Sequence, residues 1–128
     1  NNLFNNLLKF AHENDDTIAE VTLRDAVADT ERGFLDYVKN NIGQIPTIGK
    51  AGSCCLAGVL WKGVLYVANL GDSRAVIGSV VDKRVSAVQL TRDHNCNDEA
   101  IRQELISLHP DDPTIVMEKN GWRVKGII

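Results

Sequence analysis

Asp72 is the residue whose type and position most invite chemistry. It lies in Val67-Ala68-Asn69-Leu70-Gly71-Asp72-Ser73-Arg74-Ala75-Val76, where a tight turn joins two apolar runs. Core packing does not explain a carboxylate at that point. Two explanations stand. An aspartate in a turn readily hydrogen-bonds nearby backbone, and residue type alone favours this role. A carboxylate oxygen is also the ligand preferred by hard cations such as Mg2+ and Mn2+. The three histidines, His12, His94 and His109, lie far apart in sequence. His12 falls near the exposed end of an expected helix. His109 falls at a helix C-terminus, where positive charge is favoured. His94 belongs to a loop, where ordering that loop is a simpler role than catalysis. Ser53 follows Gly52 directly and precedes Cys54, which is not the spacing of a nucleophile elbow. No glycine-rich phosphate loop occurs either. The residues supply no complete catalytic set.

Three cysteines, Cys54, Cys55 and Cys96, make an odd count with two adjacent members. That is not a disulfide framework, and the spacing lacks the paired ligands of a zinc site. Cys54 and Cys55 are expected to be small apolar fillers of a buried strand, pointing to opposite faces. Free thiols favour a reducing compartment, cytoplasm or nucleus; a peripheral membrane location is compatible with this.

The elements that must position Asp72 fall into three blocks. Residues 1–42 carry helical periodicity, with Phe4, Leu7, Leu8 and Ala11 on one face of a first helix. Thr17 with Glu20, and Thr22 with Asp25, each resemble the pattern that opens a second helix. Leu23, Val27, Phe34 and Val38 would line its apolar side, and it should end near Asn40 or Asn41, before Gly43 and Pro46. A short polar loop between the two makes them an antiparallel pair. Residues 51–91 have strand character. Ser53–Trp61 reads as a strand buried on both faces, turning at Lys62-Gly63 into Val64–Asn69. Arg74–Val81 and a half-exposed Val85–Leu90 follow, which together predicts an antiparallel meander. In residues 97–125, Asn97-Asp98 opens a helix to Leu108 with Ile101, Leu105 and Leu108 on one face. Thr114–Glu118 and Trp122–Val124 flank Asn120-Gly121, a strong hairpin signal. Helices in runs and strands in runs give the α+β class.

Composition bounds the function. The chain has 128 residues, 44% hydrophobic and 24% charged, with a net charge of −3. The length is near that of one domain, and the balance is that of a globular chain rather than a disordered one. No apolar run nears the roughly 20 residues that span a bilayer, so no direct membrane insertion is expected. The first residues lack the basic start and apolar centre of a secretory signal. No basic block marks a nucleic-acid surface. No repeat or low-complexity tract occurs. The chain opens inside an expected helix and stops on Gly126-Ile127-Ile128, ends that look like cuts.

Three stretches carry a resemblance. Ala51-Gly52-Ser53-Cys54-Cys55, Leu65–Val76 with its Gly71-Asp72-Ser73-Arg74 turn, and Gln89-Leu90-Thr91-Arg92-Asp93-His94-Asn95 closely resemble, in order and spacing, the type-2C metal-dependent protein serine/threonine phosphatases. Phe34-Leu35, Leu108–Pro113 and Trp122–Gly126 look most like the plant branch. The resemblance covers essentially the whole chain. It implies part of an α-β-β-α sandwich with antiparallel sheets and an outer antiparallel helix pair. The activity implied is hydrolysis of phosphoserine and phosphothreonine in proteins. Two Mg2+ or Mn2+ ions about 4 Å apart would activate a water for direct attack. By that resemblance Asp72 matches an aspartate at the edge of the metal site that helps hold a further, weaker ion. Ser73 and Arg74 match supports of turn and strand.

Several family motifs are not in this sequence. The Asp-Gly-His-Gly-Gly motif, with its neighbouring arginine and acidic residue, does not occur, nor does any Asp-Gly or Asp-Asn pair. The resemblance therefore implies an interior piece of a phosphatase domain whose core metal ligands lie outside these residues. The piece alone is expected to be inactive, since one carboxylate cannot hold two hydrated ions. A truncated, inactive relative that binds other proteins is the alternative. Unpaired strand edges and uncovered apolar surface also lead one to expect self-association.

Overall fold

The computed structural model describes residues 2–127; the expected helix start at Asn1 and the terminal Ile128 lie outside them. The elements in chain order are α1 (Asn2–Glu13), α2 (Glu20–Asn41), a short 3-10 turn (Pro46–Lys50), β1 (Cys55–Trp61), β2 (Val64–Leu70), β3 (Val76–Val81), β4 (Arg84–Gln89), α3 (Glu99–Leu108), β5 (Val116–Glu118) and β6 (Trp122–Val124). The α+β class holds. The chain divides into two compact units, residues 1–51 with 57–68 and residues 52–56 with 69–128.

In the first unit, α1 and α2 pack against each other. Leu7, Leu23 and Ala26 form the buried centre, with Leu3, Phe10, Val59, Tyr66 and Ala68 around it. The buried stripe of α1 is thus Leu3, Leu7, Phe10 and Ala11. Phe4 and Leu8, expected on that face, are exposed. Both stripes have helical spacing, and only the partner helix selects between them. Phe34 likewise lies toward solvent, while Val27 and Val38 are half-buried. A polar pair fixes the helices' register: Asn6 Nδ2 donates to Thr30 Oγ1 at 3.0 Å, and that hydroxyl donates to the Ala26 carbonyl at 2.7 Å.

The start of α2 differs from the expected caps. Its cap residue is Ala19, which has no side-chain acceptor. Thr22, three residues on, accepts from the Ala19 N–H at 3.1 Å and donates to the Thr17 carbonyl at 3.4 Å. Thr22 is therefore inside the helix, and its hydroxyl does the work from the far side of the capping box. That also explains a buried threonine, since a buried hydroxyl needs such partners.

The strands do not form the expected meander. They pair as three separate antiparallel ribbons, β1 with β2, β3 with β4, and β5 with β6. β1 alternates half-buried and exposed along its length rather than being buried on both faces. β3 and β4 pair in register from Val76–Gln89 to Val81–Arg84, and every residue of both is exposed. Asp82 and Lys83 both adopt positive φ in the connecting turn. In the second unit, Asp98 caps α3 through its carboxylate, which accepts from Ala100 N at 2.9 Å. Ile101 is buried with Cys96 and Ile115, whereas Leu108 is exposed. Asn120 and Gly121 both take positive φ at the β5–β6 turn, as the Asn-Gly signal requires.

Candidate functional site

Asp72 sits just past the end of β2, in the second unit. β2 ends because Gly71 takes φ of 95° and turns the chain, a conformation open to glycine at little cost. The turn is also a close approach: a Cβ on Gly71 would lie 2.5 Å from Cys54 Sγ. Glycine is therefore required twice over, by angle and by space.

The turn is joined to residues 89–95 by a dense set of hydrogen bonds. His94 N donates to the Gly71 carbonyl at 2.9 Å. Asn69 Nδ2 donates to the Arg92 carbonyl at 2.9 Å and to the Gly71 carbonyl at 3.3 Å. Arg74 forks onto Asp93: Nε meets Oδ1 at 3.2 Å, and a terminal guanidinium nitrogen pairs with Oδ2. Gln89 Nε2 also donates to Asp93 Oδ1, at 3.3 Å. The Ala75 N–H donates to Thr91 Oγ1 at 3.0 Å, and Leu90 N to the Ala75 carbonyl at 2.9 Å. These bonds occupy Arg74 and Ala75 before the β3 ladder begins. They explain why regular strand starts at Val76 rather than at Arg74.

Asp72 itself is exposed and holds one partner on each oxygen. Oδ2 accepts from Asn95 Nδ2 at 3.0 Å. Oδ1 lies 3.4 Å from the Cys54 thiol, a weak donor. Neither bond runs to the carboxylate's own turn backbone. Asn95 is fixed in turn, because its Oδ1 accepts the Asn97 N–H at 2.9 Å.

Cys54 therefore departs from the expected role of buried filler. It precedes β1, it is exposed, and it touches Asp72; Cys55 is half-buried and Cys96 buried, all three as free thiols. The strand begins one residue after Cys54, so the alternation that would bury it does not yet apply. Arg74 has the supporting role the motif implied, with Asp93 as the partner the sequence did not specify. His94 contributes its backbone N–H to the turn while its side chain faces solvent. His12 is exposed beside Asp16, with Nδ1 3.1 Å from Oδ1. Sequence reasoning missed Cys54 and Asn95 as neighbours of Asp72. Both lie inside the motif stretches, but only the fold sets which side chains of separate stretches face each other.

Charge at the site follows the same contacts. The Arg74 guanidinium holds the Asp93 carboxyl below its usual range, and Asp93 raises Arg74 further. Near the β5–β6 ribbon, Lys125 and then Thr114 hold Asp112 low in the same manner.

Asp72 suits one ligand position for a hard divalent cation. It is an exposed carboxylate, and each oxygen keeps a lone-pair site beyond its single hydrogen bond. Among the described residues, no three acidic, histidine or cysteine side chains gather as a metal centre. Asp72 is thus a candidate for one ligand position, and the described residues do not gather a full ligand set.

Comparison with known proteins agrees with the motif pattern. The family model described as protein phosphatase 2C matches residues 3–106. The chain is 52% identical, over 98% of its length, to probable protein phosphatase 2C 25 of Oryza sativa subsp. japonica, covering 33% of that protein. It is 53% identical over its whole length to probable protein phosphatase 2C 43 of the same plant, again covering 33%. Probable protein phosphatase 2C 68 of Arabidopsis thaliana is 51% identical over 98% of the chain and 33% of the relative. The chain thus spans about a third of the length of these curated relatives. No solved structure matches. With its Gly71-Asp72-Ser73-Arg74 turn tied to residues 89–95 and these relatives along its length, the chain belongs to the protein phosphatase 2C family.

Proposed function

We propose that this chain is part of a protein serine/threonine phosphatase that hydrolyses phosphoserine and phosphothreonine in other proteins. The observation carrying this reading is Asp72: an exposed motif carboxylate held by Asn95 and Cys54 rather than spent on its own turn. The family match over residues 3–106 supports the reaction class. Bound Mg2+ or Mn2+ would supply a water of lowered pKa and positive charge against the phosphoryl oxygens. Asp72 would lend one oxygen at the edge of that site, with the remaining carboxylates supplied from outside these 128 residues. Arg74, Asp93, Asn69 and Thr91 hold the turn that presents it. Three free thiols support a reducing location, cytoplasm or nucleus.

The test is release of phosphate from a phosphothreonine peptide, with and without Mn2+. The full-length polypeptide carrying this sequence should turn over only with the metal. The 128 residues alone should not turn over, because one carboxylate cannot hold two hydrated ions. Failure of the full-length protein would leave the protein-binding module as its role. Robust turnover by residues 1–128 would place a whole site within them and overturn the reading.

A further inference from the structure

We infer that Asn95 is a positioning residue that orients the Asp72 carboxylate toward a divalent cation. The inference rests on the phosphatase reading for the identity of the cation, and on geometry for the role. An exposed aspartate ordinarily samples several rotamers, so its oxygens do not wait in a ligating position. Here Asn95 Nδ2 meets Oδ2 at 3.0 Å. The amide cannot turn over freely, because Asn95 Oδ1 is engaged by the Asn97 N–H at 2.9 Å. The amide orientation thus follows from its hydrogen-bond partners. His94, the preceding residue, is tied to the Gly71 carbonyl at 2.9 Å, so donor and acceptor ride on segments already fastened together.

The two oxygens of Asp72 are consequently unequal. Oδ2 receives the stronger amide N–H. Oδ1 receives only the Cys54 thiol, at 3.4 Å, a weak donor that a cation displaces readily. Oδ1 is the oxygen left available for metal, and Asn95 sets its direction. Hydrogen bonds to a ligating carboxylate are worth roughly 10–100-fold in metal affinity when removed.

The experiment is calorimetric titration of the full-length protein with Mn2+ alone. It compares wild type, Asp72→Asn, Asn95→Ser and the double variant, with melting midpoints recorded for each. Serine keeps an acceptor for the Asn97 N–H but does not reach Asp72, so it separates orientation from loop order. Asn95→Leu, of similar size and without donor or acceptor, is the second variant. Asn95→Ser should weaken the Asp72-dependent Mn2+ site about tenfold, with its melting midpoint close to wild type. In the Asp72→Asn background the same change should have no further effect, the signature of one residue acting through the other. Additive losses, an unchanged Mn2+ affinity in Asn95→Ser, or wild-type Mn2+ uptake that ignores Asp72 would each overturn the inference. Phosphatase turnover on the same samples separates the two readings. Turnover with an additive cycle leaves the function standing without Asn95. A coupled cycle without turnover leaves Asn95 standing without the function.

Discussion

Arg74 and Asp93, nineteen residues apart, meet in a two-point fork that fastens the turn bearing Asp72 to the segment bearing Asn95. The fork lies at the surface, where an ion pair adds little to global stability. Its consequence is local. Arginine's planar donors fix direction as well as distance, and Gln89 braces the same carboxylate.

The fork should therefore open with acid. Asp93 has a folded pKa below its ordinary value of 3.8 because of Arg74. A depressed carboxylate contributes stability that is present above its unfolded pKa and lost as pH falls through the folded one. Amide protection factors, corrected for intrinsic exchange, in residues 71–75 and 89–95 should stay flat from neutral pH down to the ordinary carboxylate range. Below that range they should fall. Asp93→Asn should loosen the same amides already at neutral pH and remove the acid step.

Gly71 should resist substitution. Gly71→Ala combines a positive φ of 95° with a Cβ 2.5 Å from Cys54 Sγ. A cost of about 2 kcal/mol is expected from strain of this kind, read as a drop in the urea midpoint. Removing the sulfur by Cys54→Ala should recover part of that loss. Equal losses in both backgrounds would assign the whole cost to backbone angle.

The helix pair offers a contrast between buried and exposed apolar residues. Leu23 is 5% exposed within the cluster of Leu7 and Ala26. Leu23→Ala should cost about 2–3 kcal/mol, the low end for a core leucine, because the cluster is small. Thr22→Val should cost about 1 kcal/mol through loss of the bonds to Ala19 and Thr17. Phe34→Ala should change stability by roughly 0.5 kcal/mol or less, as expected for a surface site. Thermal or urea unfolding distinguishes the three.

The β3–β4 ribbon should govern association of the isolated 128 residues. Val80 and Val85 pair directly across it and are 73% and 83% exposed. Exposed apolar strand surface invites self-pairing. Light scattering should show oligomers of the wild-type chain. Val80→Lys with Val85→Glu, an opposite-charge pair across the ribbon, should lower their population. A monodisperse monomer of the wild-type chain would remove this expectation.

The sequence by itself determined the class, the elements and the motif. Helical period, turn residues at Lys62-Gly63 and Asn120-Gly121, and the Gly71-Asp72-Ser73-Arg74 turn are local signals, and local signals survive without knowledge of the partner. The C-terminal end of α2 near Asn41 and the cap at Asp98 follow from such signals too, whereas the Ala19 start of α2 does not. Tertiary structure decided which of two helical stripes on α1 is buried, since Phe4 and Leu3 satisfy periodicity equally. It replaced a meander with three ribbons, because pairing is a long-range choice that strand propensity does not encode. It also moved Cys54 out of the core and set it, with Asn95, against Asp72. Those neighbours come from segments 18 and 23 residues away, and only the folded chain brings such segments within a hydrogen bond's length.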